Sequence, residues 1–213
     1  MIKIIKVLLV DDHTVARNGI KLMLSTAANI QVTCEAETAQ EALDVLKRED
    51  FDVVLLDIAL PDKNGLELLK LLHHNYPKLA ILIISMYSEE IYAIRALKQG
   101  AKGYLTKNSS TDILIAAVNK VAGGGKYISP FLMEKLADML DGEQAIPSCN
   151  ALSDREIEVL RRITSGENIV KIADALHLSP STITTYRARI MQKTGMKNNI
   201  DLARFALENG LLL

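Results

Sequence analysis

The 213-residue chain has no tryptophan and only two cysteines, Cys34 and Cys149. Two lone cysteines cannot build a disulfide framework, so a reducing, cytoplasmic setting is expected. The longest apolar stretches, such as Leu79–Met86, fall far short of the roughly 18–20 residues that a membrane span requires. No membrane role is expected. The opening Met-Ile-Lys-Ile-Ile-Lys-Val lacks a signal-peptide layout and runs straight into strand-like sequence. Internal repeats and low-complexity runs are also missing. With 49% apolar and 24% charged residues, disordered and fibrous classes are excluded.

A strong charge of either sign is the last absence. The formal net charge is −1, which by itself argues against nucleic acid. Divided along the chain, however, the total is a sum of unlike parts. Residues 1–123 carry net −1, residues 124–150 net −2 and residues 151–213 net +2. Leu178 to Ile200 holds Arg187, Arg189, Lys193 and Lys197 with no acidic residue between them. The average conceals a basic patch.

Residues 1–123 alternate in hydrophobic period. Ile4–Val10, Val53–Asp57 and Ala80–Ser85 are continuous β-branched or leucine-rich runs, as in strands buried on both faces. Gln31–Glu35 and Gly103–Leu105 read as shorter strands. Helical spacing predicts Thr14–Ser25, with Val15, Ile20, Met23 and Leu24 inward, then Ala39–Lys47, Gly65–His74, Glu89–Lys98 and Thr111–Ala122. Strict alternation of five strands with five helices predicts a doubly wound, five-stranded parallel α/β sheet. Ligands of such sheets sit beyond the carboxyl ends of the strands. Residues 124–150 read as a linker with an amphipathic helix over Pro130–Leu140.

From residue 151 the pattern is all helical. Ser153 and Glu156 have capping-box spacing. Ile169–Leu176 is a short helix, and Ser179-Pro180 caps a helix that continues through Thr182–Thr194 to Gly195. A last helix covers Ile200–Glu208, stopped by Gly210. A small all-α helix-turn-helix domain over 151–213 is the expectation. Within its third helix, Ile183, Tyr186 and Ile190 share one side, while Thr184, Thr185, Ala188 and Arg189 face the other.

Two groups of residues carry chemistry. Asp11 and Asp12 end the first strand, Asp57 the third and Ser85 the fourth, and Lys107 follows the fifth. Clustered carboxylates repel one another unless a cation lies between them, and a few oxygen ligands with room for water suit Mg2+. A lysine and a hydroxyl beside them are suited to an anion such as a phosphoryl group. The second group is the basic patch on the third C-terminal helix.

On these residues the chain resembles a known family. VLLVDDH (7–13), VVLLDIALPDKNGLELL (53–69), IISMYSEE (83–90) and KQGAKGYLTK (98–107) look like a response-regulator receiver domain of the flavodoxin/CheY-like fold. LSDREIEVLRRITSGE (152–167), IADALHLSPSTITTYRARIMQKTG (172–195) and NIDLARFALENGLL (199–212) resemble the LuxR-type helix-turn-helix of NarL/FixJ-class regulators. The resemblance implies that Asp57 accepts a phosphoryl group from a histidine kinase. It implies Mg2+ on Asp12, Asp57 and the Ala59 backbone carbonyl, with Asp11 acting through water. Lys107 and Ser85 would bind phosphoryl oxygens, and Tyr104 would be the switch aromatic, against the plainer reading of a half-buried strand tyrosine. Thr184, Thr185 and Ala188 would face bases of double-stranded DNA, and Arg187, Arg189 and Lys193 would reach phosphates or guanines. A phosphorylation-dependent homodimer and contact with RNA polymerase complete the implied partners.

The sequence departs from the family pattern in places. Lys107 is followed by Asn108 rather than proline, Met86 stands where a small residue is common, and Thr184 and Ala188 replace frequent lysines. Three rival readings stay open at this point. One is an aspartate-nucleophile phosphatase, although the nucleophile candidate lies on the third strand rather than the first. A nucleotide-binding module is disfavoured by the lack of a glycine-rich loop after the first strand. The third is a transcription factor that works without phosphorylation.

Overall fold

The computed structural model describes residues 3–141, 151–209 and 211. The chain divides into two compact units, Met1–Glu134 and Lys135–Leu213. Gly210 and residues 142–150 of the expected linker, Cys149 among them, lie outside the described residues.

In the first unit the apolar runs form β1 (Ile5–Val10), β2 (Ile30–Ala36), β3 (Val53–Leu56), β4 (Ala80–Ser85) and β5 (Gly103–Thr106). Every residue of β3 and β4 is buried, which explains why those runs carry no polar alternation. The strands are all parallel in the order β2-β1-β3-β4-β5. This order reverses direction between β1 and β3, so the crevice above their carboxyl ends is the natural ligand position. Helices α1 (Thr14–Ser25), α2 (Ala39–Leu46), α3 (Gly65–Asn75), α4 (Glu89–Lys98) and α5 (Thr111–Ala122) make the crossovers.

Local chemistry sets the helix starts. Thr38 accepts from the Glu41 N–H and Asn64 from the Leu66 N–H, each a side-chain N-cap. Gly65 follows Asn64 for a steric reason: a Cβ there would lie 2.2 Å from the Asp57 carbonyl oxygen. One inward assignment is corrected. Val15 is 86% exposed, and the buried face of α1 is Arg17, Ile20 and Leu24. Val15 lies half a turn around the helix from Leu24, so the two cannot share a face.

Residues beyond Gly123 continue into this unit. Tyr127 donates its N–H to the Lys102 carbonyl at 2.7 Å and bridges Gly103 in parallel register. Ser129 donates to Glu89 Oε1 at 2.5 Å and caps α6 (Pro130–Asp141) by accepting from the Leu132 N–H.

The second unit is helical: α7 (Asp154–Thr164), α8 (Ile169–Ala175), α9 (Pro180–Thr194) and α10 (Asn199–Glu208). Its core is a small set of apolar residues, among them Ile157, Leu160, Ile172, Ile183, Ile190 and Leu202, each 0% exposed. The capping box at α7 is complete, Ser153 caps with Glu156, and Ser179 caps α9 with Pro180 in its first turn. Gly195 ends α9 at φ 73°, the left-handed conformation glycine adopts without strain.

Candidate functional site

The strand ends bring the acidic residues together. Asp11 and Asp57 are buried at the ends of β1 and β3, and Ser85 is buried at the end of β4. Lys107, just past β5, reaches back with its Nζ 2.7 Å from Asp11 Oδ2 and 2.7 Å from Asp57 Oδ2. Asp57 Oδ1 accepts from the Ala59 N–H at 3.2 Å. Asp12 is the more open carboxylate, with Oδ1 2.7 Å from His13 Nδ1. Asp11 Oδ1 accepts from the His13 backbone N–H at 2.8 Å.

The electrostatics follow from burial. Removal from water pushes the Asp57 carboxyl above its ordinary value, Asp11 adds to that, and Lys107 and Ser85 pull the other way. Burial works against the Lys107 ammonium, yet Asp57 and Asp11 hold its pKa above the usual lysine value. The cluster sets three carboxyl groups, those of Asp11, Asp12 and Asp57, around one lysine.

The donor set fits a hard divalent cation. Ligand atoms of Asp11, Asp12, His13 and Asp57 lie within 4.8 Å of one another. Asp11 Oδ2 and Asp12 Oδ1 are buried and accept no well-directed hydrogen bond from the described residues, although Lys107 Nζ and His13 Nδ1 respectively lie 2.7 Å away. Carboxylate oxygens in that condition suit Mg2+, while the His13 nitrogen is the poorer match.

Ser85 joins this cluster to a buried tyrosine. Its hydroxyl lies within hydrogen-bonding reach of both the Asp57 carboxylate and the Tyr104 phenol and can donate to one of them at a time. Tyr104 is 1% exposed, deeper than a half-buried strand residue, and donates to the Tyr87 carbonyl at 2.9 Å. Burial, with the nearby Tyr92, pushes its phenol far above the usual range. Met86 is half exposed beside Ser85.

Two residues outside the expected set hold this site in place. Arg17, with only 8% of its side chain exposed, donates to the Asp11 carbonyl at 2.6 Å and pairs with Glu35 of β2 and with Glu37 just past it. Asp62, in the loop after Asp57, accepts from the Ala39 and Gln40 N–H groups at 2.8 and 3.0 Å, tying that loop to the start of α2. Arg17 shares the buried stripe of α1 with Ile20 and Leu24.

In the second unit, Ile183 and Ile190 of α9 are buried, and Thr184, Thr185, Ala188 and Arg189 are exposed. Thr184 and Thr185 donate to the carbonyls of Pro180 and Ser181, one turn earlier. A shallow depression formed by Ser181, Thr182, Thr185, Tyr186 and Arg189 lies on this exposed face. Two of the four clustered cations turn back toward the protein. Arg187 Nε donates to Asn199 Oδ1 at 2.8 Å, and Lys193 Nζ sits 2.7 Å from Glu156 Oε2. Asn168 caps α8 by accepting from the Lys171 N–H.

A 2-1-3-4-5 parallel sheet with an acid–lysine pocket at its switch point, followed by a capped helix-turn-helix, defines a receiver joined to a regulatory output domain. Comparison with known proteins agrees. Residues 7–119 match the response regulator receiver domain model, and residues 150–206 match that of the bacterial regulatory proteins, luxR family. Response regulator GacA of Pseudomonas aeruginosa is 33% identical over 209 residues, with 98% of each chain covered. Response regulator UvrY of Escherichia coli is 30% identical over 208 residues, covering 97% of this chain and 95% of that protein. A solved structure of RcsB from Salmonella enterica serovar Typhimurium, bound to promoter rprA in the presence of phosphomimetic BeF3-, superposes with a TM-score of 0.69 at 25% identity. That match covers 95% of this chain and 98% of the other. The chain belongs to the response regulators, with a receiver domain and a LuxR-type domain in the NarL/FixJ arrangement. Among the described residues no helix is long and apolar enough to cross a membrane.

Proposed function

We propose that this protein is a cytoplasmic DNA-binding transcription regulator switched by phosphorylation of Asp57. The observation that carries the reading is the buried Asp57 carboxylate, held by Lys107 and flanked by Asp11 and Asp12 at the strand ends. The donor is a phosphohistidine of a sensor histidine kinase. An Asp57 oxygen bonds to phosphorus as the phosphorus–nitrogen bond breaks, and the electron pair returns to the imidazole. Lys107 moves its contact from the carboxylate to a phosphoryl oxygen, and Ser85 donates to another. Asp12, Asp57 and the Ala59 carbonyl would hold Mg2+, with Asp11 acting through water, and the bound ion would supply further positive charge at the phosphoryl oxygens. Steady turnover of phosphate monoesters is not part of this reading. The chain acts on itself, taking up one phosphoryl group and losing it slowly.

The output follows from the same contacts. When Ser85 turns to the phosphoryl group, it leaves the Tyr104 hydroxyl, and α4 repacks around that tyrosine. The domain scheme is a receiver over 1–123, a connector over 124–150 and a DNA-binding domain over 151–213. Phosphorylated chains pair, and two copies bind half-sites about one helical turn apart. Thr184, Thr185 and Ala188 face bases, and Arg187 and Arg189 reach phosphates or guanines. RNA polymerase is the downstream partner.

Labelling by acetyl phosphate tests the site. The wild-type chain takes up label only with Mg2+, and Asp57→Asn takes up none. Labelling of Asp57→Asn at the wild-type rate overturns the assignment.

A further inference from the structure

Placed on a helical wheel at roughly 100° per residue, Thr184, Thr185, Ala188 and Arg189 of α9 all lie on the half opposite Ile183 and Ile190. Lys193 is not among them. It falls roughly 70° from the centre of the buried stripe, on the flank that meets α7. Its ammonium is 2.7 Å from Glu156 Oε2, and that carboxylate is only 4% exposed. The same oxygen accepts from the Ser153 N–H at 2.7 Å, so the contact anchors on the capping box that starts α7.

We infer that Lys193 is a positioning residue: it clamps the end of α9 to the start of α7 through Glu156, and so sets the angle at which Thr184, Thr185 and Ala188 meet DNA. The inference rests on the DNA-binding reading above and gives Lys193 a different role within it. To contact a phosphate, Lys193 has to abandon a buried carboxylate. An unpaired buried charge costs more than one solvent-exposed phosphate contact returns. Burial by itself raises the Glu156 carboxyl, but Lys193 and Ser153 together hold it below the ordinary glutamate value, so the group is ionised and needs its partner at neutral pH. Arg187 differs because its partner, Asn199, is neutral and exposed, and it leaves at little cost. Arg189 is exposed on the outward face, and no carboxylate among the described residues pairs with it.

A clamp and a phosphate contact have different salt signatures. Each neutralised phosphate adds about 0.9 to the slope of log affinity against log salt, whereas a misaligned helix loses base recognition and keeps the slope. The experiment uses the full chain and two duplexes: one selected by the wild-type chain from a randomised pool, and a scrambled sequence of equal length. Lys193→Met is expected to lose about tenfold or more on the selected duplex, with binding to the scrambled duplex within about twofold and the slope unchanged. Arg189→Ala lowers the slope by about 0.9 on both duplexes. Glu156→Gln keeps an acceptor for Ser153 and reproduces the selective loss. Combining it with Lys193→Met adds little, because both remove one contact. Lys193→Arg restores the preference. A slope reduced by about 0.9 in Lys193→Met, an equal loss on both duplexes, or additive single-variant losses overturns the clamp. If the wild-type chain selects no duplex, the DNA-binding reading itself fails, and the clamp falls with it.

Discussion

Replacing Lys107 with alanine gives the most direct measure of how the acidic pocket is balanced. The lysine places one ammonium 2.7 Å from two carboxylates, with 7% of its own side chain exposed and 0% and 2% of those of Asp11 and Asp57. Removing one partner from a buried pair typically costs about 3–5 kcal/mol, because the remaining charge stays desolvated. The receiver's unfolding free energy at neutral pH is therefore expected to fall by about that much. The sign with pH is fixed by the native-state shift. Asp57 is already raised by burial, so its stabilising contribution is present at low pH and is lost as pH rises through its native value. Without the ammonium, that native value rises further. The deficit relative to wild type is thus largest at neutral pH and shrinks as Asp57 protonates on acidification. Mg2+ acts in the same direction as acid. The variant should bind Mg2+ more tightly than wild type, since no ammonium competes for Asp11 and Asp57, and a 100-fold excess over its dissociation constant adds about 2.7 kcal/mol. Urea unfolding of both proteins at two pH values, with and without Mg2+, measures all of this. A deficit below about 1 kcal/mol, in the range of exposed ion pairs, or one indifferent to both acid and Mg2+, refutes the reasoning.

Two further substitutions probe how the site is held. Gly65→Ala places a Cβ 2.2 Å from the Asp57 carbonyl oxygen. The loop that carries Asp57 must shift, so urea unfolding should show a loss of about 1–3 kcal/mol together with slower acetyl-phosphate labelling; unchanged values for both discount the close approach. Arg17→Met removes the guanidinium from the Asp11 carbonyl while keeping the side chain's bulk. Because Glu35 and Glu37 regain water, the expected loss is only about 1–3 kcal/mol, but Mg2+ titration should show weaker binding as Asp11 loses its brace; unaltered Mg2+ affinity removes Arg17 from the site's support.

The parallel sheet was readable because its strands are buried on both faces: VVLL and AILII leave no polar residue to obscure the pattern. The convergence of Asp11, Asp57, Ser85 and Lys107 was readable for a related reason, since strand ends on one edge of such a sheet must converge. What escaped the sequence reading were charges that work inside the protein. Arg17 looks like a surface residue of an amphipathic helix, and Lys193 looks like part of a positive face. Only the positions of Asp11, Glu35 and Glu37 around the first, and of buried Glu156 beside the second, show that both are held inward. The ion pairs among these contacts join residues 18 to 37 positions apart, beyond the reach of any local periodicity. Val15 was misplaced on a coarser ground: apolar character stood in for angular position, and Arg17 occupied the inward slot instead.

The short pairing of Tyr127 with Gly103 bears on where the receiver ends as a physical object. β5 is the last strand of the sheet, and an edge strand offers unpaired backbone groups to any other chain that approaches. Tyr127 covers part of that edge by donating to the Lys102 carbonyl. The approach depends on residue 103 lacking a side chain, because a Cβ there would lie 2.8 Å from the Tyr127 carbonyl oxygen. A receiver cut off after the last crossover helix would lose this cover and leave β5 bare. Residues that read in the sequence as the beginning of a connector therefore guard the sheet against edge-to-edge aggregation.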